Sequence, residues 1–279
     1  MKGVNVLVGL VKYSLLIVIM FFLLFPLYWV ILTSFKTNME AFRIPPTFII
    51  QDPTIASYVN LFLVQNEFFV YYKNNFLISG IVTVSTVLLA ILAGYALSRF
   101  KFAWNKWIIA ALLTSQMFPI ISRMISLYAL LARVNLLNTR AGLSLAIIAA
   151  TLPFTAILMS SFFDNVPKEI EEAAYVDGAG RLQILYRIVV PLVRPGILAV
   201  GIYAFLMAWD DYLHAATLIQ SDELRTLSIG VALRYLGELA TDWSLVNTIS
   251  VVSMLPMIVL FFFFQKHMVK GLVAGAVKG

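Results

Sequence analysis

Two stretches of this chain have residue types and spacings suited to chemistry. The first runs from Asp164 to Arg194 and holds nine charges: Asp164, Lys168, Glu169, Glu171, Glu172, Asp177, Arg181, Arg187 and Arg194. The second is Ala208-Trp209-Asp210-Asp211-Tyr212, an acidic pair flanked by two aromatic rings. Enzyme signatures are missing. There are no cysteines and only two histidines, His214 and His267, and neither H-E-x-x-H nor G-x-S-x-G occurs. G-x-x-x-x-G-K-[ST] does not occur either.

The elements that carry these stretches are apolar. The chain is 61% hydrophobic and 12% charged, where soluble domains average about 25% charged. Four runs of at least 23 residues, Tyr13–Phe35, Asn74–Ser98, Ala141–Phe163 and Trp243–Gln265, lack Asp, Glu, Lys and Arg. Two more are interrupted: Trp107 to about Leu131 by Arg123, and Pro195 to about Ile219 by Asp210 and Asp211. A spanning helix needs about 20 apolar residues. The runs do not alternate as barrel strands do, so the pattern predicts an all-α, polytopic membrane protein with six transmembrane helices. The first run is too long for a signal-peptide core and lacks an Ala-x-Ala site, so it reads as a retained helix. With both termini in the cytoplasm, inside segments hold 12 of the 20 Lys and Arg residues, which fits the positive-inside rule. The net charge of +6 follows this topology rather than nucleic-acid binding.

Three parts are expected: residues 1–71, a first helix and an external loop; residues 72–265, a helical core; and residues 266–279, a tail. The loop from Lys36 to Lys73 reads as a packed hairpin, with the aromatics of Tyr58 to Phe76 on the membrane surface. The segment Gln220–Asp242 reads either as a solvated loop or as a surface for a soluble partner. Kinks are expected near Pro26, Pro119, Pro153 and Pro256.

The stretch 164–194 has a net charge of −1, unlike the polybasic segments that bind anionic lipid. It suits a protein surface or a solvated connector. Pro167 fits a first helical position, followed by Glu169, Glu171 and Glu172 at the positive end of the helix dipole. Ile170, Ala173, Ala174 and Asp177 share a face. Gly178 and Gly180 end the helix. A second helix from about Arg181 to Val190 turns Leu182, Ile184, Leu185, Ile188 and Val189 inward, and Pro191 and Pro195 break it before the fifth span.

Glu172-Ala173-Ala174, Gly178, Ile188 and Pro191 carry the spacing of the EAA loop found in permease subunits of bacterial ABC importers. Val190 departs from the family's Leu, a conservative change. Asp177-Gly178-Ala179, Arg194-Pro195-Gly196, the Trp209-Asp210-Asp211-Tyr212 segment and the tail Gln265-Lys266-His267 to Gly275-Ala276-Val277-Lys278-Gly279 resemble the carbohydrate-uptake branch, most closely its maltose-permease G-like subunits. The resemblance implies a type I ABC importer permease fold in a bacterial or archaeal cell membrane. It makes loop 164–194 a coupling helix that docks on an ATP-hydrolysing subunit.

The resemblance further implies a second homologous permease, an ATP-binding subunit dimer reached by the tail, and an external solute-binding protein facing Gln220–Asp242. A sugar or oligosaccharide would be the solute, moved by alternating access coupled to ATP hydrolysis in the partner subunit, and this chain would bind no cofactor. Asp210 and Asp211 either face a substrate cavity, where Trp209 and Tyr212 could stack on sugar rings, or sit at the interface because the span ends early. Arg123 either lines the pore or snorkels to the surface. The competing readings are an ion-coupled secondary transporter, against which stands the lack of an internal repeat, and an intramembrane enzyme.

Overall fold

The computed structural model describes residues 2–100, 103–236 and 241–276, with side chains described for 11–100, 103–236 and 241–265. Lys101, Glu238, Val277, Lys278 and Gly279 lie outside the described residues, as do the side chains of Lys2, Lys266 and His267. Every regular element among the described residues is helical. In chain order they are α1 (Lys2–Ser34), α2 (Asn38–Ala41), α3 (Ala56–Leu63), α4 (Asn66–Arg99), α5 (Asn105–Met117), α6 (Ile120–Arg133), α7 (Arg140–Asp164), α8 (Lys168–Val176) and α9 (Arg181–Leu192). They continue with α10 (Arg194–Trp209), α11 (Leu213–Leu218), α12 (Leu227–Tyr235) and α13 (Trp243–Ala276).

Among the described residues, four helices are long and apolar enough to cross a membrane: Val11–Ser34 of α1, α4, α7 and Trp243–Gln265 of α13. The number rises to six if each of two bent pairs is one span. The pair α5–α6 bends by 102° at Phe118-Pro119, where proline favours an extended predecessor over a helical one. The pair α9–α10 bends by 81° at Val193. This differs from the expected run of Pro195 to Ile219: the helix ends at Trp209, and the polar Asp210-Asp211 step separates it from α11.

The chain forms two compact units, residues 1–68 with 231–255 and residues 69–230 with 256–279. In the second, α7 is the central helix. Thr139 caps its start by accepting a hydrogen bond from the Gly142 amide at 3.0 Å, satisfying one of the donors a helix start leaves open. Leu143, Ala146 and Ile147 of α7 bury against Ile78 and Val82 of α4 and Ala215 and Leu218 of α11. Further along, Met159 and Phe163 bury against Ala90 and Ile91 of α4 and Val200 of α10. Gly94 permits the close approach of α4: a Cβ there would lie 2.8 Å from the Ser160 backbone nitrogen. Small residues at such crossings are the usual means of packing membrane helices.

At the Asn74 end of α4, polar side chains tie down the segment after α11. Asn74 Nδ2 donates to the carbonyls of Glu223 (2.8 Å) and Arg225 (3.0 Å), and its Oδ1 accepts from Arg140. Tyr71 donates to Asp222 at 2.7 Å. The described part of Gln220–Asp242 is therefore folded, with a 3-10 turn at Asp222–Leu224 followed by α12, rather than a free solvated loop. Tyr71 packs against Gly230 and is buried, as is Phe68, so these aromatics are not presented at the surface.

In the first unit the segment after α1 folds around Glu40. Its carboxylate accepts from Thr47 Oγ1 (2.7 Å) and from the amides of Gln51 (3.0 Å) and Asp52 (3.2 Å). Lys36, itself buried, donates to the Thr47 carbonyl and lies 4.8 Å from the Trp29 ring centre. Burial pulls the Glu40 carboxyl upward, but the hydrogen bonds from Thr47, Gln51 and Asp52 and the Lys36 charge outweigh it and hold it below the ordinary carboxylate range.

Two predictions follow from this packing. Because the Glu40 pKa is depressed on folding, its stabilisation is present above the ordinary carboxylate range and is lost as pH falls through the folded value. Hydrogen-exchange protection at Gln51 and Asp52 should fall over that window and lose the dependence in Glu40→Gln; unchanged protection across it would contradict the assignment. Gly94→Ala should cost about 1–3 kcal/mol, as overpacking does, read as a lower thermal midpoint in detergent. Gly80→Ala, with nothing within 4 Å of the added Cβ, should not lower it.

Candidate functional site

Loop 164–194 folds into two short helices with distinct inner and outer faces. Pro167 stands just outside α8 with extended ψ, so the helix begins one residue later than the sequence predicts. Gly178 takes φ +85°, a left-handed angle that glycine adopts without steric penalty, and closes the helix. The Ala179 amide donates back to the Ala174 carbonyl at 3.0 Å and the Gly178 amide to Tyr175 at 3.1 Å. Gly180 differs from expectation: it is extended and precedes the first residue of α9.

Within α9, residues Leu185–Val189 widen to π-helical turns just ahead of Pro191. Proline lacks an N–H and crowds the carbonyl four residues back, so a wider turn accommodates it without ending the helix. The helix therefore continues through Pro191 and breaks only at Val193.

The inner face joins the core. Ala174, Ile184, Leu185 and Val189 are buried with Phe163 and Ala90, and Ile188 packs against them. Leu182 does not turn inward: it is 69% exposed. On the outer face, Glu172, Ala173, Asp177 and Gly178 are exposed with Leu182 and Val176, the last at 88%. The predicted face of Ile170, Ala173, Ala174 and Asp177 is thus divided, with only Ala174 buried.

An ionic clamp fastens the inner face to the end of α4. Arg99 Nε donates to Glu171 Oε1 at 2.6 Å, with both side chains largely buried. The same guanidinium donates to the Val166 carbonyl at 2.9 Å and to Ser98 at 3.0 Å. Tyr95 donates to Glu171 Oε2 at 2.8 Å, and Ser98 donates to Asp164 at 2.5 Å. A cavity of about 290 Å³ lies beside the clamp, lined by Tyr95, Arg99, Glu172, Tyr175 and Arg181. Arg181 stands 5.2 Å from the Phe100 ring centre, over its face. Sequence reasoning missed Glu171 and Arg99 as partners. The available signal was a basic residue at the end of one apolar run and an acid in the first turn of α8, the helix of the charged loop.

The second stretch separates into different environments. Trp209 is buried in an aromatic cluster, stacked on Phe205 (5.4 Å) and met edge-on by Phe76 (4.8 Å) and Tyr72 (5.7 Å). Its carbonyl accepts from Asn75 Nδ2 at 3.2 Å. Asp211 caps α11, accepting from the Ala215 amide (3.0 Å) and holding His214 Nδ1 at 2.6 Å. Asp210 and Tyr212 are exposed. Asp211 and Trp209 are thus occupied by protein partners.

Comparisons with known proteins agree with this architecture. Residues 86–273 match the family model described as binding-protein-dependent transport system inner membrane component. The chain is 35% identical over 256 residues to the sulfoquinovosyl glycerol transport system permease protein of Agrobacterium fabrum, covering 92% of this chain and 89% of that one. It is 32% identical over 257 residues to the trehalose/maltose transport system permease protein of Thermococcus litoralis, covering 92% of each. A chain of a bacterial ABC transporter involved in the import of the acidic polysaccharide alginate superposes with a TM-score of 0.83 at 22% identity, over 94% of this chain and 96% of that one, and shares the fold. The chain belongs to the inner membrane components of binding-protein-dependent transport systems: it is a multi-pass permease of the cytoplasmic membrane in an ABC importer, and ATP is hydrolysed by a partner subunit.

Proposed function

We propose that this chain is one of two permeases through which a sugar or oligosaccharide crosses the cytoplasmic membrane, with loop 164–194 docking on the ATP-binding subunit. The full assembly in this reading is this chain, a homologous second permease, an ATP-binding subunit dimer and an extracytoplasmic solute-binding protein. Both termini lie in the cytoplasm, where the tail reaches the ATPase dimer. The sugar assignment is supported by the relatives named for sulfoquinovosyl glycerol and trehalose/maltose.

The observation that carries the coupling assignment is the two-faced loop. Its outer face leaves Glu172, Ala173, Val176, Asp177 and Leu182 available to a partner, while the Gly178 turn sets the angle between its helices. Its inner face is tied by Arg99–Glu171 to α4. Docking and transmission therefore reside in different residues. Ile188 and Pro191 belong to the transmitting side, in the widened helix that leads into α10. Asp210 and Tyr212, exposed at the end of α10, are the members of the second stretch available to a passing solute; Trp209 and Asp211 would support them from behind.

The two roles are separable by experiment. Glu172→Lys or Gly178→Val should reduce co-purification of the ATP-binding subunit. Arg99→Ala should leave co-purification intact yet lower uptake per ATP hydrolysed by at least about fivefold, the scale of a coupling energy of one to three kcal/mol. Normal transport in all three variants would sink the assignment.

A further inference from the structure

The bend between α5 and α6 opens a cavity of about 490 Å³ against α7, within the range of small-molecule sites. Arg123 lies on its wall with the hydroxyl residues Ser115, Ser122 and Ser126, His214, and the small side chain of Ala150. Arg123 interrupts an otherwise apolar run, where an uncompensated charge is costly. Arginine does not deprotonate, so it cannot escape the cost by becoming neutral. Yet no carboxylate lies within ion-pair distance of it among the described residues. Its Nε is buried without a hydrogen-bond partner, and one terminal nitrogen reaches the Ser115 carbonyl only at 3.5 Å. Arg99, Arg225 and Arg234, by contrast, each hold a carboxylate.

His214 adds a second polar group to the wall. Its Nδ1 is 2.6 Å from the Asp211 carboxylate, which only accepts, so Nδ1 carries the proton and Nε2 is the nitrogen left over. Asp211 thereby fixes the ring without occupying the cavity.

Building on the permease reading, we propose that this cavity binds an oxyanion, a carboxylate or sulfonate, carried by a polyhydroxylated solute. The Arg123 guanidinium can donate two side-by-side hydrogen bonds to two oxygens of either group, and the hydroxyls of Ser122 and Ser126, with His214, address the hydroxyl groups. A carboxylate side chain from a neighbouring subunit would answer the charge alone and leave most of the volume unfilled.

The test uses the assembled transporter in nanodiscs and proteoliposomes, with glucuronate as probe and glucose as its neutral counterpart. Glucuronate should raise the thermal midpoint and glucose should not. Arg123→Gln should weaken the glucuronate response at least about tenfold, the scale of a charged hydrogen bond, and Arg123→Lys should retain part of it. Equal responses to both sugars, no response to glucuronate, or a response that survives Arg123→Gln would overturn the proposal. Loss of the second permease from the Arg123→Gln complex would reassign the residue to the subunit interface. A stabilisation that requires phosphatidylglycerol in place of zwitterionic lipid would reassign it to a headgroup. ATP-dependent uptake with no glucuronate response overturns this site alone; uptake without ATP dependence overturns the permease reading itself.

Discussion

A polar side chain on a membrane-spanning helix must be answered by protein, because lipid offers it no hydrogen bonds. In this chain such contacts join segments far apart in sequence. Asn74 and Asn75 answer backbone groups about 150 residues away, at Glu223, Arg225 and Leu227. Thr86 and Thr151 face each other at 3.4 Å where α4 crosses α7. Arg99 at the far end of α4 answers Glu171. One helix is thus pinned at both ends and in its middle by polar contacts, with apolar packing between them. Its position is fixed in register as well as in depth.

The clamp at Arg99 has a mechanical consequence. A buried ion pair adds little net stability, yet removing one partner strands the other at a cost of about 3–5 kcal/mol. Such a contact resists being pulled apart more than it favours folding. The loop it secures is short, turned sharply at Gly178, and exposes its small and apolar outer residues. A force applied to that outer face reaches α4 through Glu171 and α10 through the widened helix at Leu185–Val189. In the proposed reading the chain supplies a lever and its two attachments, while ATP is hydrolysed on another subunit.

Much of the fold is legible in the sequence because lipid imposes a length. The runs Asn74–Ser98 and Ala141–Phe163 lie within α4 and α7; α7 extends beyond its run only by Arg140 and Asp164, whereas α4 starts eight residues earlier, at Asn66. Gly178 is legible because a left-handed turn admits almost nothing else. Gly180 is not, since extended backbone suits any residue. Pro191 misleads because a helix can widen locally instead of ending. Leu182 misleads because periodicity assigns a face along the helix but not what lies opposite its first turn, where Leu182 is left exposed. The Glu171–Arg99 pair is invisible to any local rule: 72 residues separate the partners, and only the crossing of α4 with the loop brings them together. The Trp209–Tyr212 stretch shows the same limit, since composition could not distinguish a ring packed on Phe205 from one facing a solute.

The central claim is that the coupling loop and α4 move as one body because Arg99 joins them. The chain has no cysteines, so spin labels can be placed at two introduced cysteines, one replacing exposed Glu169 on α8 and one replacing exposed Leu92 on α4. In the assembled transporter the distance between them should stay fixed as ATP binds and is hydrolysed, and it should broaden when Arg99 is replaced by alanine. A distance that changes with ATP in the unclamped and clamped proteins alike, or that ignores Arg99→Ala, would contradict the account.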